Sequence, residues 1–263
     1  MIKSSPALKS LLSDTPAVGM RTSVRTKTIY SFLKETLHDR GHGYGRAGST
    51  PSEQVVRVLE SIADLASLSY QEDEHVHILE DIYRLAIGTG KFQRLGRCWP
   101  YLGFDGEDPV PSIEAAGILS LFNLAYFLEH HREVSLDMIR KCSNGVGSKQ
   151  YPWATVGMNI TRSLSVFFEI IDRQTGSVVN LQNSIPSFTR GRKWEFMLSE
   201  HCFSRLYCCM FVMFDSIFHE LDSTDVSKVL QLTETRFFHL FDIKNSIEEI
   251  EAAVNIIPEW KRT

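Results

Sequence analysis

The sequence predicts an all-α protein, with a single compact multi-helix domain behind a flexible basic N-terminal arm. Three observations favour this fold class. After residue 50, apolar side chains recur at three- and four-residue spacing, which is the period of a helix that buries one face. Strand signals are almost absent, because no Asn-Gly turn separates two alternating runs. Before residue 50, the chain carries Ser, Thr, Pro and basic residues without a sustained period, as flexible segments do.

The charge distribution separates the arm from the rest of the chain. Residues 1–50 hold eight basic and three acidic side chains, a net charge of +5, whereas the whole chain carries −4. An acidic body is poorly suited to gripping nucleic-acid phosphates, so we expect no nucleic-acid partner. Residues 1–48 are expected to make peripheral contact with an anionic membrane face or an acidic partner. A solvated tail is the alternative interpretation of the same charges.

The first ordered element is predicted to begin at residue 50. Thr50, Pro51 and Glu53 match a capping box with Pro at the first helical position. The helix that follows is expected to bury an apolar stripe from Val55 to Ala66. Ordered structure is therefore expected from this point onward.

Seven more helices follow along the chain. They are predicted over residues 73–87, 112–131, 135–142, 151–172, 193–221, 224–241 and 246–255. The last helix has its own capping box, formed by Asn245 and Glu248. Residues 178–181, a short strand candidate, are assigned to a loop. The predicted organisation is an arm with a Gly-rich linker over 1–49, a helical domain over 50–243, and a C-terminal helix and tail over 244–263.

The sequence contains no motif for a cofactor, a metal or a catalytic nucleophile. The nine histidines form no H-E-x-x-H pattern, and there is no G-x-S-x-G nucleophile elbow. The glycine-rich stretches 43–48 and 88–91 lack the preceding strand that a nucleotide-binding loop requires. We therefore expect no cofactor and no metal site. No apolar stretch is long enough to predict a transmembrane segment, and five cysteines without a C-x-x-C pair favour a reduced, cytoplasmic setting.

A stretch between residues 99 and 127 resembles the first signature of ELMO domains. It contains Trp99, Gly103, Phe104 and Pro109, and continues from Gly117 into a Leu-rich helix. The family shows W-x-x-x-G-F-Q, then a Pro four residues after the Gln, then T-D-F-R-G-x-G. Large aromatic residues in a connecting segment are also typical of loops pinned to a helical core.

A second stretch is similar to the tyrosine-proline-aromatic segment of the same family, which leads into Gly-x-Asn-x-Thr. The resemblance covers residues 50–243 and implies an ELMO-type helical domain. The residues assigned structural roles in it are Gly103, Gly117, Tyr151, Pro152, Trp153, Gly157 and Asn159. Gly costs about 1 kcal/mol relative to Ala inside a helix. We therefore expect Gly117 and Gly157 to allow the close approach of two helix backbones.

The sequence departs from the family at the residue that carries its chemistry. Members that activate Arf-type GTPases share the arginine of T-D-F-R-G-x-G, and aligning Gly117 with the final glycine puts Glu114 at that arginine. Asp105 stands at the family's Gln. An arginine stabilises the charge on a transferred phosphoryl group, whereas a carboxylate repels it. We therefore expect no catalytic residue at Glu114, and Arg94 and Arg97 are candidate substitutes.

The resemblance implies regulation or scaffolding through a small GTPase of the Arf or Arf-like type, without arginine-dependent activation of GTP hydrolysis. One alternative is an active GTPase-activating protein with a displaced arginine. Another is a structural adaptor in a large cytoskeletal, ciliary or Dock-type assembly, with a cytoplasmic, cytoskeletal or ciliary location. The residues expected to bind the partner are Trp99, Phe104, Asp105, Pro109, Ser112 and Glu114. Core packing is the alternative role for the two aromatic residues, and a helix cap is the alternative role for Ser112.

Overall fold

The computed structural model describes residues 51–88, 90–143, 150–179, 197–221 and 224–256, and these ranges form a helical fold, as the sequence predicts. Within them the only β-pairing is an isolated antiparallel bridge between Ile171 and Val178. The predicted arm and linker over 1–49 lie outside the described residues. So does Thr50, and with it the capping box expected at the start of the first helix.

Ten helices are described, and they are numbered here in chain order. They are α1 (Pro51–Ser67), α2 (Glu72–Ala86), α3 (Cys98–Tyr101), α4 (Val110–Ala116), α5 (Ile118–His130), α6 (Arg132–Ser143), α7 (Trp153–Phe167), α8 (Cys202–Glu220), α9 (Val226–Ile243) and α10 (Ile247–Ala253). Helix α3 was not predicted. It is one turn long, and a single turn gives no periodic pattern.

Helix α5 lies at the centre of the fold. It packs against α1, α2, α4, α6, α7 and α8. Every side chain from Ile118 to Leu128 is buried, so the helix shows almost no polar face. A helix that is apolar all round is stable in water only when other helices cover it, and this one organises the core around itself.

The single helix predicted over 112–131 is wrong, because the chain breaks at Gly117. This glycine has φ +83°, a conformation that side-chain-bearing residues rarely adopt, and it joins α4 to α5 at a bend of 110°. A Cβ there would lie 3.5 Å from the carbonyl oxygen of Ala66, an ordinary contact. Gly117 is therefore required by its backbone angle, and not by the close helix approach that the sequence predicted.

Two other predicted helices are shorter in the structure. Helix α7 ends at Phe167 because Glu169 adopts φ +56° and the chain turns into the bridge at Ile171. Helix α8 begins at Cys202, after His201 at φ +56°, and not at residue 193. In both cases the apolar pattern continues past the end of the helix, since the loop residues are also packed against the core.

The C-terminal helix α10 is packed into the same core as the rest of the domain. Its residues Ile247 and Ile250 are fully buried. From α8, the buried guanidinium of Arg205 donates to both carboxylate oxygens of Glu251, at 2.7 and 2.8 Å, and to Glu248 at 2.8 Å. A buried charge is tolerated only when its partners are satisfied in this way. Residues 247–253 thus pack on the same core as the helices that precede residue 243.

The capping box of α10 is displaced by one residue from the predicted pair of Asn245 and Glu248. The hydroxyl of Ser246 accepts the N–H of Glu249 at 3.2 Å, and the Glu249 carboxylate accepts the N–H of Asn245 at 3.4 Å. Both pairs fit the same sequence pattern. The backbone of Ser246 decides between them, because its extended angles, φ −146° and ψ 160°, place it at the cap position.

In the described part of the chain, no single helix is long and apolar enough to cross a membrane. Helices α4 and α5 reach that length and composition only as a pair, across their sharp bend.

Candidate functional site

The segment that begins at Trp99 folds around its own indole ring. Trp99 is fully buried, and its Nε1–H donates to the carbonyl oxygens of Gln93 and Arg94, both at 3.1 Å. Phe104 meets the indole edge-to-face, with ring centroids 5.4 Å apart. Both aromatic residues were predicted to bind a partner. In the structure they lie inside and pin the connecting loops to the core.

The two signature stretches meet at Gly103. The carbonyl oxygen of Leu102 accepts the N–H of Ala154 at 2.9 Å, and that of Gly103 accepts the Thr155 hydroxyl at 2.8 Å. The first turn of α7 is thus capped from a loop some fifty residues earlier. Gly103 has φ +87°, and a Cβ on it would lie 2.6 Å from the carbonyl carbon of Pro152. Only glycine fits at this crossing of the two stretches.

Tyr151 and Gly157 hold α7 against α8. Tyr151 is buried and donates its hydroxyl to Asp215 at 2.7 Å. That carboxylate also lies 3.3 Å from His219 and 3.9 Å from Lys141. A Cβ on Gly157 would lie 2.5 Å from the Tyr207 hydroxyl and 2.8 Å from Leu124, so the close approach is between backbone and side chains rather than between two backbones.

A buried polar network links the three central helices, and sequence reasoning did not identify it. The amide of Asn123 on α5 donates to the Thr161 hydroxyl of α7 at 3.1 Å and accepts from the Ser204 hydroxyl of α8 at 2.9 Å. Thr161 belongs to the Gly-x-Asn-x-Thr motif and is buried, whereas Asn159 of the same motif is exposed. The available signal was a lone Asn inside an apolar helix, which needs partners when buried.

The exposed part of the signature is the edge where α4 begins. Asp105 and Glu114 are exposed, whereas Pro109 and Ser112 are buried. The hydroxyl of Ser112 accepts the backbone N–H of Asp105 at 3.4 Å and donates to its carboxylate at 3.3 Å. Of the six residues predicted to bind a partner, only the two carboxylates thus present exposed side chains.

The predicted cap of α4 by Ser112 is wrong, because the helix begins earlier. Pro109 occupies the cap position, and Ser112 lies within the first turn. The Asp108 carboxylate accepts the N–H of Val110 at 2.9 Å and takes over the capping role. Burial acts against the charged form of Asp108, but this bond and the Arg94 guanidinium together lower its pKa.

The two arginines proposed as substitutes have different environments. Arg94 donates through Nε to Glu72 at 2.9 Å and through a terminal nitrogen to Asp108 at 2.7 Å. Burial opposes its charge, yet these bonds raise the pKa of Arg94. Arg97 is 92% exposed, and its guanidinium comes only within 3.8 Å of Glu107. Arg94 is therefore held in a structural ion pair, and Arg97 is the arginine available to a partner.

The described residues contain no group of three His, Cys, Asp or Glu side chains placed to hold a metal ion. All five cysteines are free thiols. Burial raises the pKa of Cys142 to about 12, with a hydrogen bond to Tyr151 acting the other way. A thiol with such a pKa is a poor nucleophile near neutral pH.

Comparison with known proteins assigns the signature to a family. The family model described as ELMO/CED-12 matches residues 60–230. The chain is 24% identical over 197 residues to ELMO domain-containing protein C of Dictyostelium discoideum, covering 70% of this chain and 29% of that protein. It is 26% identical over 148 residues to human ELMO domain-containing protein 2, covering 56% of this chain and 45% of that protein. For human ELMO domain-containing protein 1, the identity is 28% over 191 residues, covering 59% and 57%.

The chain thus spans less than two thirds of the length of the curated relatives that it matches. No solved structure matches it significantly.

Proposed function

This chain belongs to the ELMO/CED-12 family, and on that premise we propose that it regulates or scaffolds a small GTPase of the Arf or Arf-like type without arginine-dependent activation of GTP hydrolysis. The signature residues contact one another, and this supports a partner-binding surface that is still formed in this chain. Trp99 holds its loop, and Gly103 joins that loop to the start of α7. The edge at Asp105 and Glu114 is the exposed part of this surface.

The observation that carries the proposal is the exposed carboxylate of Glu114 on α4. The resemblance aligns this position with the arginine of the activating members. Such an arginine contributes about 10³- to 10⁵-fold to hydrolysis, because it neutralises charge on the transferred phosphoryl group. A carboxylate at the same place raises the barrier through repulsion of that charge. The proposal is therefore that the chain binds the GTPase without accelerating the hydrolysis of its bound GTP.

The second candidate function is activation through a displaced arginine, and the exposure of Arg97 favours it over Arg94. A residue that enters a partner's active site must leave its own protein without breaking strong contacts. Arg94 would have to break its ion pairs with Glu72 and Asp108, whereas Arg97 has only a long contact with Glu107 to lose.

Affinity capture tests the proposed partner class. The full chain is immobilised and offered a panel of Arf and Arf-like GTPases, each loaded with GDP or with a non-hydrolysable GTP analogue. We expect at least one GTPase to bind, with different affinities for its two nucleotide states. Absence of binding across the panel, or binding indifferent to nucleotide, would refute the proposal and favour the structural adaptor.

Single-turnover hydrolysis tests the loss of catalysis with the same panel. We expect the wild-type chain to change the rate of hydrolysis of bound GTP by less than about tenfold, against about 10³-fold or more for an arginine-dependent activator. An acceleration of that size would contradict the proposal. If Arg97→Ala then abolished the acceleration and Arg236→Ala, at another exposed arginine, did not, the displaced arginine would be identified.

A further inference from the structure

We propose that the Leu95 loop, defined as residues 93–97, is a pre-organised contact surface for the small GTPase, with Leu95 as its apolar anchor and Arg97 as its charged contact. The inference rests on the proposed function, because it assigns the loop to the same partner. It adds a binding determinant outside the Glu114 position. It also gives a binding role to Leu95, which neither the family signature nor the sequence pattern marks as a partner contact, and it uses Arg97 for binding rather than for catalysis.

Leu95 stands out by its exposure. Its side chain is 62% exposed, and among the described residues Ile243, at 56%, is the other large apolar side chain that is exposed. Single exposed apolar residues are common on protein surfaces and carry no meaning alone. The distinguishing feature of Leu95 is the way in which the backbone around it is held.

Three sets of hydrogen bonds fix the Leu95 loop. The Trp99 indole N–H donates to the carbonyl oxygens of Gln93 and Arg94. Arg94 bridges to carboxylates of α2 and of the segment before α4. The N–H of Gly96 donates to the carbonyl oxygen of Glu107 at 2.9 Å. Both neighbours of Leu95 are therefore held by hydrogen bonds, Arg94 to the buried Trp99 and Gly96 to the segment before α4.

A fixed loop with an exposed leucine is favourable for binding. Ordering a mobile loop upon association lowers affinity, and a loop that is already ordered avoids this loss. Binding energy concentrates in a few interface side chains surrounded by contacts that exclude water, and arginine is enriched among them. Arg97, at 92% exposure, lies two residues from the anchor and can reach a carboxylate on the partner without leaving another charge unpaired in the core.

The charges around the loop favour a folded protein over a membrane or a nucleic acid. The exposed Arg97 lies 3.8 Å from the exposed Glu107, and the segments on either side carry an exposed cation at Lys91 and an exposed carboxylate at Asp105. An anionic lipid surface or a phosphate backbone would attract the two cations and repel the two carboxylates. A protein surface can match both signs around an apolar pocket.

The Leu95 loop is continuous with the edge at α4. Glu107 contacts Gly96 and Arg97 at one end of the connecting segment. At the other end, Asp105 is bonded to Ser112 in the first turn of α4, the helix that also carries Glu114. A partner that contacts the exposed Asp105 would therefore have the Leu95 loop at the border of the same surface.

Binding measurements on point variants of the full chain test this inference. The equilibrium constant Kd is measured for the GTPase that wild type captures, using wild type, Leu95→Asp, and Ile243→Asp as the matched control. We expect Leu95→Asp to raise Kd by about 10- to 100-fold, as the loss of a buried leucine does, and Ile243→Asp to change it by less than about twofold. Thermal unfolding should be the same for all three, because both side chains are exposed. Arg97→Glu should slow association, and more so at low salt.

Equal effects of the two aspartate variants would overturn the inference and leave the proposed function standing. Failure of wild type to bind any GTPase in either nucleotide state would overturn both. Binding to vesicles containing phosphatidylserine provides the third arm. If Leu95→Asp abolished vesicle binding while the Kd for the GTPase stayed the same, the loop would face a membrane, and the protein-partner assignment would be wrong.

Discussion

Replacing Gly103 with Ala is the perturbation that tests the junction between the two signature stretches. Gly88 provides a matched control, because it also has a left-handed backbone, at φ +81°, but a Cβ there would meet nothing within 4 Å. Both variants introduce a single methyl group at a strained backbone angle. Only Gly103→Ala drives that methyl group into the backbone of Pro152 and Trp153.

The expected magnitudes follow from these contacts. The left-handed conformation costs an alanine about 1–2 kcal/mol, so Gly88→Ala should lower the free energy of unfolding by that amount. At Gly103, Pro152 and Trp153 must move away. This weakens the bonds from Ala154 to Leu102 and from Thr155 to Gly103, each worth about 1 kcal/mol. Adding about 1–3 kcal/mol for overpacking gives a total loss of about 4–7 kcal/mol.

Urea denaturation followed by circular dichroism at 222 nm measures both losses. The two-state assumption should be checked with tryptophan fluorescence, since Trp99 and Trp153 both lie at the junction. A loss of more than about 3 kcal/mol beyond that of Gly88→Ala is expected, which is a large part of the stability of a typical domain. Equal losses for the two variants would refute the idea that Gly103 is required by close packing.

Two further predictions concern buried charge. Glu251→Gln should lower the free energy of unfolding by about 3 kcal/mol, because it removes the buried charge that pairs with Arg205. Glu248→Gln changes an exposed carboxylate and should lower it by less than about 1 kcal/mol. Equal losses for the two variants in urea denaturation would contradict this. Burial, with a contribution from His201, lowers the pKa of His130 to about 4, below the ordinary value of about 6.5. The folded state therefore binds fewer protons than the unfolded state between these values, so stability falls as the pH is lowered. From pH 7 to 5, wild type should lose about 2 kcal/mol more than His130→Gln, and an unchanged difference would show that His130 does not titrate in this way.

Much of the helical fold is predictable from the sequence, because the apolar period of α1, α2 and α9 is local information. The break at Gly117 is not predictable in this way. The residues around it, Ala115, Ala116 and Ile118, are all compatible with a continuous helix, and a glycine within a helix is unfavourable by only about 1 kcal/mol. The choice between a kink-free helix and a bend is made by the packing of α4 and α5 on other helices, which the local sequence does not contain.

The candidate site, like the fold, is predictable from the sequence only in part. The family signature singled out Gly103 and Trp153, and the structure brings their two stretches together at Gly103. The signature could not tell which of its residues are exposed, and Trp99 and Phe104 lie in the core. The ion pair between Arg94 and Glu72 could not be predicted from the sequence either. Its members are 22 residues apart, and nothing in the sequence links a loop arginine to one of three successive acidic residues.

The buried ion pair of Arg205 sets an order of events during synthesis. Its carboxylate partner Glu251 follows 46 residues later in the chain. At a translation rate of about 5–20 residues per second, roughly 2–9 s pass between the two. Throughout that interval the guanidinium must stay hydrated, because desolvation without a counter-charge is too unfavourable. Helix α8 therefore cannot settle into the core of the nascent chain until α10 has been made, and α10 supplies the counter-charge that lets α8 become buried.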